Sequence, residues 1–413
     1  MKLLALFLAL VGLSRCSVVE DQVETFDGDI VIQVTPRTPE QLATLGLMMR
    51  KAPMVDFWRE PKTVGQAVEI HLPRDQQDFP LKFFKAYGFD AEVVIEDLGA
   101  LIAGEKRNLE SRWSDWTSYE SLESIEGFLV QTADAYDFVS LSSVGNSYEG
   151  RDVWMLNINK PNEEGLPKKV AVLEFQIHAR EWISSAVGTW MINELLTNPA
   201  YDEILQTWDF HIFPISNPDG FAFTKTNNRL WRKTRSDHNS IFGCRGVDPN
   251  RNWDWSFAGP GTSNDKCSEI YHGPEAFSES EVKAISDYVL NMSPRADIYL
   301  SFHSYSQFIL LPWGDTTVPP DDVDELLDVG LAGEAALEAV YGTQYETGTI
   351  PDLLNLAAGS SIDWVKGAAG VKWTFAYELR DKGQYGFLLP ADQIIPCAEE
   401  TFAGVIAMLN ALP

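Results

Sequence analysis

The sequence predicts an α/β domain with a mostly parallel or mixed sheet flanked by helices, preceded by a small α+β unit. Three observations predict it. The 413 residues exceed one typical domain. The downstream part alternates near-continuous apolar runs with amphipathic stretches, the pattern of buried strands and covering helices. The upstream part instead intersperses short strands with two amphipathic stretches. Apolar residues make up 45% of the chain and aromatics 12%, so a sizeable core is available and global disorder is excluded.

Taken in order, Lys2, the apolar run Leu3 to Leu13 and the small residues Ser14, Cys16 and Ser17 read as a signal peptide over residues 1–16. About ten apolar residues fall short of the about 20 that a span needs, so secretion is expected and a membrane anchor is not. Ile30 to Val34, Val68 to Leu72 and Ala91 to Ile95 read as strands, Thr38 to Arg50 and Asp75 to Tyr87 as helices. Ile102 to Ser114 holds Lys106, Arg107, Glu110 and Arg112 with few large apolar residues, and reads as an exposed connector open to proteases. Downstream, Val170 to Ile177, Trp208 to Ile215, Ala296 to Phe302 and Lys372 to Tyr377 read as strands. Ser185 to Leu195, Glu279 to Leu290, Asp324 to Tyr341 and Glu399 to Leu409 read as helices, and Asn217-Pro218-Asp219-Gly220 as a turn. In such folds ligands sit at the carboxyl ends of strands.

The formal net charge is -28, which repels a nucleic-acid duplex or an anionic membrane, so neither is an expected partner. Of four cysteines, Cys16 leaves with the signal peptide. Cys244 and Cys267 form a nearby pair that an oxidising compartment would let bond, and Cys397 reads as a buried free thiol. Asn291-Met-Ser is a glycosylation sequon.

Two of the six histidines fall where a strand ends: His178 after Val170 to Ile177, and His303 after Ala296 to Phe302. Glu181 follows His178 by three residues, a spacing that lets a turn bring imidazole and carboxylate onto one ion. His-x-x-Glu alone is a weak signal. The string His178-Ala-Arg-Glu-Trp-Ile-Ser is followed in order by Asn228-Arg-Leu-Trp-Arg-Lys-Thr-Arg, Gly246-Val-Asp-Pro-Asn-Arg-Asn-Trp-Asp, Ser301-Phe-His-Ser-Tyr-Ser-Gln and Tyr377-Glu-Leu-Arg-Asp. From about Ser118 to the C-terminus this series resembles the zinc metallocarboxypeptidases related to carboxypeptidases A and B. The upstream unit, with Val55-Asp-Phe-Trp, is similar to their activation segment.

The resemblance implies a central mixed eight-stranded sheet and a ferredoxin-like prosegment over residues 17–107, with a connector to about 112 and the catalytic domain at 113–413. It implies one zinc ion on His178, Glu181 and His303, with Asp248 orienting the His178 ring. Glu378 matches the general base and Arg232 the oxyanion stabiliser. Asn250 and Arg251 match the pair gripping a substrate's terminal carboxylate, with Arg180 adding positive potential and Tyr305 among the substrate-binding positions. Cys244 and Cys267 match the family's disulfide. One departure stands out: Asn355 occupies the place of a mobile tyrosine, which implies weakened or altered substrate binding. At the pocket base stands Ile362, with Leu310, Gly314, Ile350, Ala357 and Ala376 as small or apolar neighbours, and Ala376 replaces a common threonine. Such a pocket implies preference for C-terminal aromatic or bulky aliphatic residues, because a buried Lys or Arg would lack a partner there. A one-residue slip would bring Asp363 into it instead.

The implied protein is a secreted, monomeric zymogen whose prosegment covers the cleft until proteolysis. Its partners are peptide and protein C-termini, a trypsin-like activating protease cutting at Arg107 or Arg112, and proteinaceous carboxypeptidase inhibitors. Rival readings are the same enzyme with basic or acidic specificity, a zinc amidase for small acylated amino acids, and a catalytically weak binding homologue.

Overall fold

The computed structural model describes residues 23–51, 55–108, 116–162 and 165–413. The signal-peptide reading and Arg112 lie outside the described residues, and of Arg107 only the backbone is described.

The upstream unit runs β1 (Ile30–Thr35), α1 (Pro39–Lys51), β2 (Asp56–Phe57), β3 (Val68–Leu72), α2 (Asp78–Ala86) and β4 (Asp90–Ile95). Its sheet has the order β2-β3-β1-β4, antiparallel throughout, which is the expected ferredoxin-like arrangement. Alternation along β1 explains why both its faces are buried. Ile30, Ile32 and Val34 pack with Phe83 and Phe84 under the unit's own helices. Val31 points the other way, into a cluster with Trp58 and Ile95 and with Leu230, Tyr305 and Phe387 of the large domain.

The connector reading of Ile102 to Ser114 is corrected in its first half. Leu98–Asn108 is a helix, α3. Leu98 and Ile102, four residues apart and so on one helical face, bury in the interdomain cluster, and Glu105 is buried beside them. The apolar residues that define this face begin just before the polar stretch, which hides it.

The large domain continues with α4 (Leu122–Ala135), β5 (Val139–Asn146), β6 (Asp152–Ile158), β7 (Lys169–Phe175), α5 (Trp182–Thr197), α6 (Asp202–Thr207), β8 (Trp208–Phe213) and α7 (Pro218–Thr226). Then follow α8 (Ser280–Asn291), β9 (Ile298–Ser304), β10 (Phe308–Leu311), α9 (Val323–Tyr341), β11 (Glu346–Thr349), α10 (Ile350–Leu353), α11 (Ser361–Gly367), β12 (Trp373–Leu379) and α12 (Ile394–Ala411). One eight-stranded mixed sheet has the order β11-β10-β12-β9-β7-β8-β6-β5, with β12, β9, β7 and β8 parallel at its centre. Leu173, Phe175, Leu300, Phe302 and Phe375 pack on one face under α5, α9 and α12. Val172 and Tyr299 pack on the other under α8 and α11. Strands covered on both faces read as continuous apolar runs, which is why the sequence reveals them.

Asn217-Pro218-Asp219-Gly220 is the start of α7, not a free turn. The Asn217 side chain accepts from the Gly220 N–H at 3.0 Å and Pro218 occupies the first turn, so turn-forming residues here act as a helix cap. The α12 segment, by length and composition, is apolar enough to cross a membrane. Here it is a core helix, with buried Glu400 held by the Arg380 guanidinium. Cys244 and Cys267 are bonded, and Cys397 is free and buried.

Burial pushes the Glu281 carboxyl up to about 7, from an ordinary 4.5, with Glu279 and Asp219 adding repulsion. A folded value above the unfolded one means that this group's contribution is complete below 4.5 and lost as pH rises through 7. Glu281→Gln should therefore stabilise the fold at pH 8 by about 2–3 kcal/mol and leave it unchanged at pH 4, as urea unfolding at the two pH values would show.

Candidate metal centre and substrate cleft

Strands β7, β9 and β12 are adjacent and parallel, and their carboxyl ends form one rim. His178 follows β7, His303 lies near the end of β9, and Glu378 is its register partner in β12. Glu181 lies at the entry to α5, where its N–H reaches the His178 carbonyl at 3.3 Å. This tight turn returns the carboxylate to the ring: Glu181 Oε1 is 2.8 Å from His178 Nδ1, and Oε2 is 3.3 Å from His303 Nδ1. The two Nδ1 atoms are 3.0 Å apart. All three residues are buried.

The far side of each ring fixes its proton. Asp248 Oδ1 lies 3.1 Å from His178 Nε2, and Asp248 Oδ2 accepts from Arg232 at 2.9 and 3.2 Å. Beside Arg232 and His178, the Asp248 carboxyl is held well below its usual range despite burial. It is thus an acceptor, the His178 proton sits on Nε2, and Nδ1 carries a bare lone pair. That lone pair converges with a second imidazole nitrogen and a carboxylate, within 4.8 Å. Such a set is repulsive alone and suits a cation. Two nitrogens, one oxygen, burial and an open cleft side fit a zinc ion with three protein ligands.

A cavity of about 150 Å³ lies in front of this centre. Its polar lining includes Arg232, Asn250, Arg251, Tyr305, Asn355 and Glu378, its apolar lining Leu310, Ile350, Ile362 and Ala376. Most of the substrate-site residues expected from the sequence therefore meet in one cleft; Arg180 and Gly314 are not in its lining. The Arg180 guanidinium lies over the Phe387 ring and donates to Asp56 of the upstream unit at 3.1 Å. Burial raises the Glu378 carboxyl well above its usual range, and the Glu181 carboxylate adds to this. A bound cation opposes both effects.

Local structure holds the arginine side of the cleft. Arg251 donates to the Gly261 and Asn250 carbonyls at 3.0 and 2.9 Å, and Asn250 Oδ1 accepts from the Ser361 N–H at 2.9 Å. Gly261 and Gly359 have φ of +76° and +74°, and a Cβ on them would meet the Leu356 and Arg251 carbonyl oxygens at 1.6 and 2.4 Å. Only glycine lets these two loops interlock behind Arg251. On the pocket floor, Asp363 turns away: its carboxylate accepts from the Gly314 N–H at 2.8 and 3.1 Å, and burial pushes it up to about 7. Ile362 lines the cavity in its place.

That the upstream unit roofs the cleft is what the resemblance implied; which of its residues do so was not legible in the sequence. Trp58, Arg59, Glu60, Lys62 and Gln66 of the upstream unit close the cavity. Asn355 Nδ2 donates to Glu60 at 2.8 Å and to the Pro61 carbonyl at 3.2 Å. Lys62 donates to the Leu354 carbonyl at 2.6 Å and also to that of Pro351. Tyr305 donates to buried Glu69 at 3.3 Å. The signal available was Val55-Asp-Phe-Trp, whose Asp56 and Trp58 both touch the large domain.

The second anchor is a buried ion pair in which Glu105 accepts two hydrogen bonds from Arg229, at 2.7 and 2.9 Å. Glu105→Ala would leave that guanidinium without its carboxylate, a loss of about 3–5 kcal/mol. The variant zymogen should be activated by trypsin measurably faster than wild type, followed as appearance of peptidase activity.

Comparison with known proteins agrees with this architecture. Residues 32–105 match the carboxypeptidase activation peptide family, and residues 125–404 match the zinc carboxypeptidase family. Carboxypeptidase A2 of Rattus norvegicus is 38% identical over 99% of this chain and 98% of its own length. Carboxypeptidase B of Astacus astacus is 46% identical over 72% of this chain and 97% of its own. Among solved structures, thrombin-activatable fibrinolysis inhibitor superposes with a TM-score of 0.85 at 31% identity, covering 93% of this chain and 98% of that one. Carboxypeptidase A from Helicoverpa armigera gives a TM-score of 0.85 at 26% identity, covering 94% and 98%. Both family matches fall in order on the two folded units described above, and the chain belongs to the zinc carboxypeptidases, carrying their activation peptide as a procarboxypeptidase does.

Proposed function

We propose that this chain is the secreted zymogen of an A-type carboxypeptidase, which removes C-terminal aromatic or bulky aliphatic residues once the upstream unit is cut away. The observation that carries the specificity is the pocket floor, where Ile362 faces the cavity and Asp363 faces Gly314. A large apolar side chain gains about 1.5–3 kcal/mol on burial there, while a cationic one would lose its hydration without a partner.

His178, Glu181 and His303 would hold the zinc. When bound, the ion polarises a water and the scissile carbonyl. Arg251 and Asn250 anchor the substrate's terminal carboxylate and so restrict hydrolysis to the last peptide bond. Glu378 takes the proton of the attacking water and returns it to the leaving nitrogen. Arg232 donates to the oxygen on which charge develops. Asn355 stands where a clamping tyrosine would be, and its shorter side chain leaves more of the substrate's hold to Arg251.

Cleavage by a trypsin-like protease at Arg107 or Arg112 would release the roof. Arg107 lies in the backbone of α3, so cleavage there requires that helix to open, which favours Arg112. The molecule would act as a monomer, and proteinaceous inhibitors could enter the uncovered cleft. A basic specificity is the second reading, because a relative at 46% identity is a carboxypeptidase B.

The test is release of free amino acid from blocked dipeptides ending in Phe, Leu, Lys or Glu, before and after trypsin, with and without a zinc chelator. Chelator-sensitive release of Phe and Leu only after trypsin is the expected result. Release of Lys would transfer the pocket to the second reading. No release with zinc bound would make the chain a binding homologue.

A further inference from the structure

We propose that Glu174, acting through the Ser301 hydroxyl, is the positioning residue of the second histidine ligand, holding His303 with its Nδ1 lone pair aimed at the metal centre. The proposal rests on the reading of His178, Glu181 and His303 as the zinc site.

Glu174 lies one residue before the end of β7, in register with Ser301 of β9. It is fully buried, in the layer that Val170, Val172 and Tyr299 fill between the sheet and α8 and α11. A carboxyl in such a layer is costly unless it is hydrogen-bonded. Its hydrogen bond with Ser301 leads to the metal centre. Tyr299, Ser301 and His303 alternate along β9 and share a face. Ser301 Oγ donates to Glu174 Oε2 at 2.8 Å, and His303 Nε2 lies 3.1 Å from the same Oγ. The serine has one proton to give. Given to Glu174, it obliges the hydroxyl to accept from His303, so the ring proton sits on Nε2 and Nδ1 is bare.

The opposite tautomer has a sponsor too. Asn250 Nδ2 is 3.4 Å from His303 Nε2, and its Oδ1 is occupied by the Ser361 N–H, so the amide offers a donor to that nitrogen. An Nε2 that accepts leaves the proton on Nδ1, where a metal needs a lone pair. The shorter contact, that to Ser301, decides against this. His178 receives the same service from Asp248 directly; His303 receives it through one hydroxyl.

Two substitutions test the relay in the full-length chain. In Glu174→Gln the amide can donate to Ser301, which reverses the relay. In Ser301→Ala only the Asn250 amide remains beside Nε2. Both should weaken zinc binding by about 10–100-fold in chelator competition. A neutral amide is cheaper to bury than a carboxylate, so zinc-free Glu174→Gln should unfold at a urea concentration no lower than wild type. Lost affinity without lost stability is the signature that a packing role would not give. Thr374→Val, which removes another buried hydroxyl from the adjacent strand, should leave zinc affinity within twofold. Zinc affinity within twofold of wild type in both relay variants would overturn the proposal. So would loss of zinc in Glu174→Gln that only parallels loss of fold while Ser301→Ala binds normally. A wild-type chain that takes up no zinc would overturn the metal site itself, and the relay with it.

Discussion

Glu378→Gln should reduce kcat of the trypsin-activated enzyme by about 10²–10⁴, with KM little changed and one zinc still bound per chain. The size follows from the absence of a substitute. Among the described residues, three carboxylates line the cavity: Glu378, Glu181 and Glu60. Glu181 is committed to His178 and His303, which hold its carboxyl below the usual range against burial. Glu60 belongs to the roof and leaves on activation. Glutamine keeps the shape of Glu378 and cannot accept the water's proton. Zinc should stay because the ligand cluster is His178, Glu181 and His303, without Glu378. Steady-state kinetics and metal analysis on the same sample measure both halves. Activity above a tenth of wild type would remove Glu378 from the role of base, and loss of zinc would make it a ligand instead.

How much of this was legible in the sequence differs by element. The central strands announce themselves because both faces are buried and nearly every residue is apolar, as in Val170 to Ile177. The flanking strands do not. β5 is Val-Ser-Leu-Ser-Ser-Val-Gly-Asn and mostly partly or fully exposed, β10 has four residues, and β11 is Glu-Thr-Gly-Thr. These form because a neighbour supplies the hydrogen bonds, and local pattern carries little of that. The proposed zinc ligands were legible through the resemblance carried by the ordered motifs around them; strand ends placed His178 and His303 at the rim, and His-x-x-Glu alone was a weak signal. The resemblance implied a roof, but not its contacts, because these join positions such as Glu60 and Asn355, 295 residues apart, with no pattern linking them. Separation along the chain also hid the contact from Glu174 to Ser301, 127 residues on.

Arg251→Ala should lower kcat/KM for a C-terminal Phe substrate by about 30- to 1,000-fold, the loss expected of a charge-assisted pair of hydrogen bonds in a partly dry site. The fall should exceed that of a comparable arginine in an enzyme with a tyrosine clamp, because Asn355 offers less reach. The decisive readout is a ratio. Wild type should discriminate strongly between a peptide ending in a free carboxylate and the same peptide ending in an amide. In Arg251→Ala that discrimination should collapse, since the group that tells acid from amide has gone. Misfolding is a separate outcome and can be recognised. Arg251 also ties the 248–261 segment through its bonds to Gly261 and Asn250, so the variant needs an unchanged zinc content as its control. Arg251→Lys keeps the charge and loses the planar fork, and should recover part of the carboxylate preference but not all of it. If the free acid remains favoured by the wild-type margin in the alanine variant, the terminal carboxylate is held elsewhere. Arg180, released from Asp56 when the roof departs, is then the residue to substitute next.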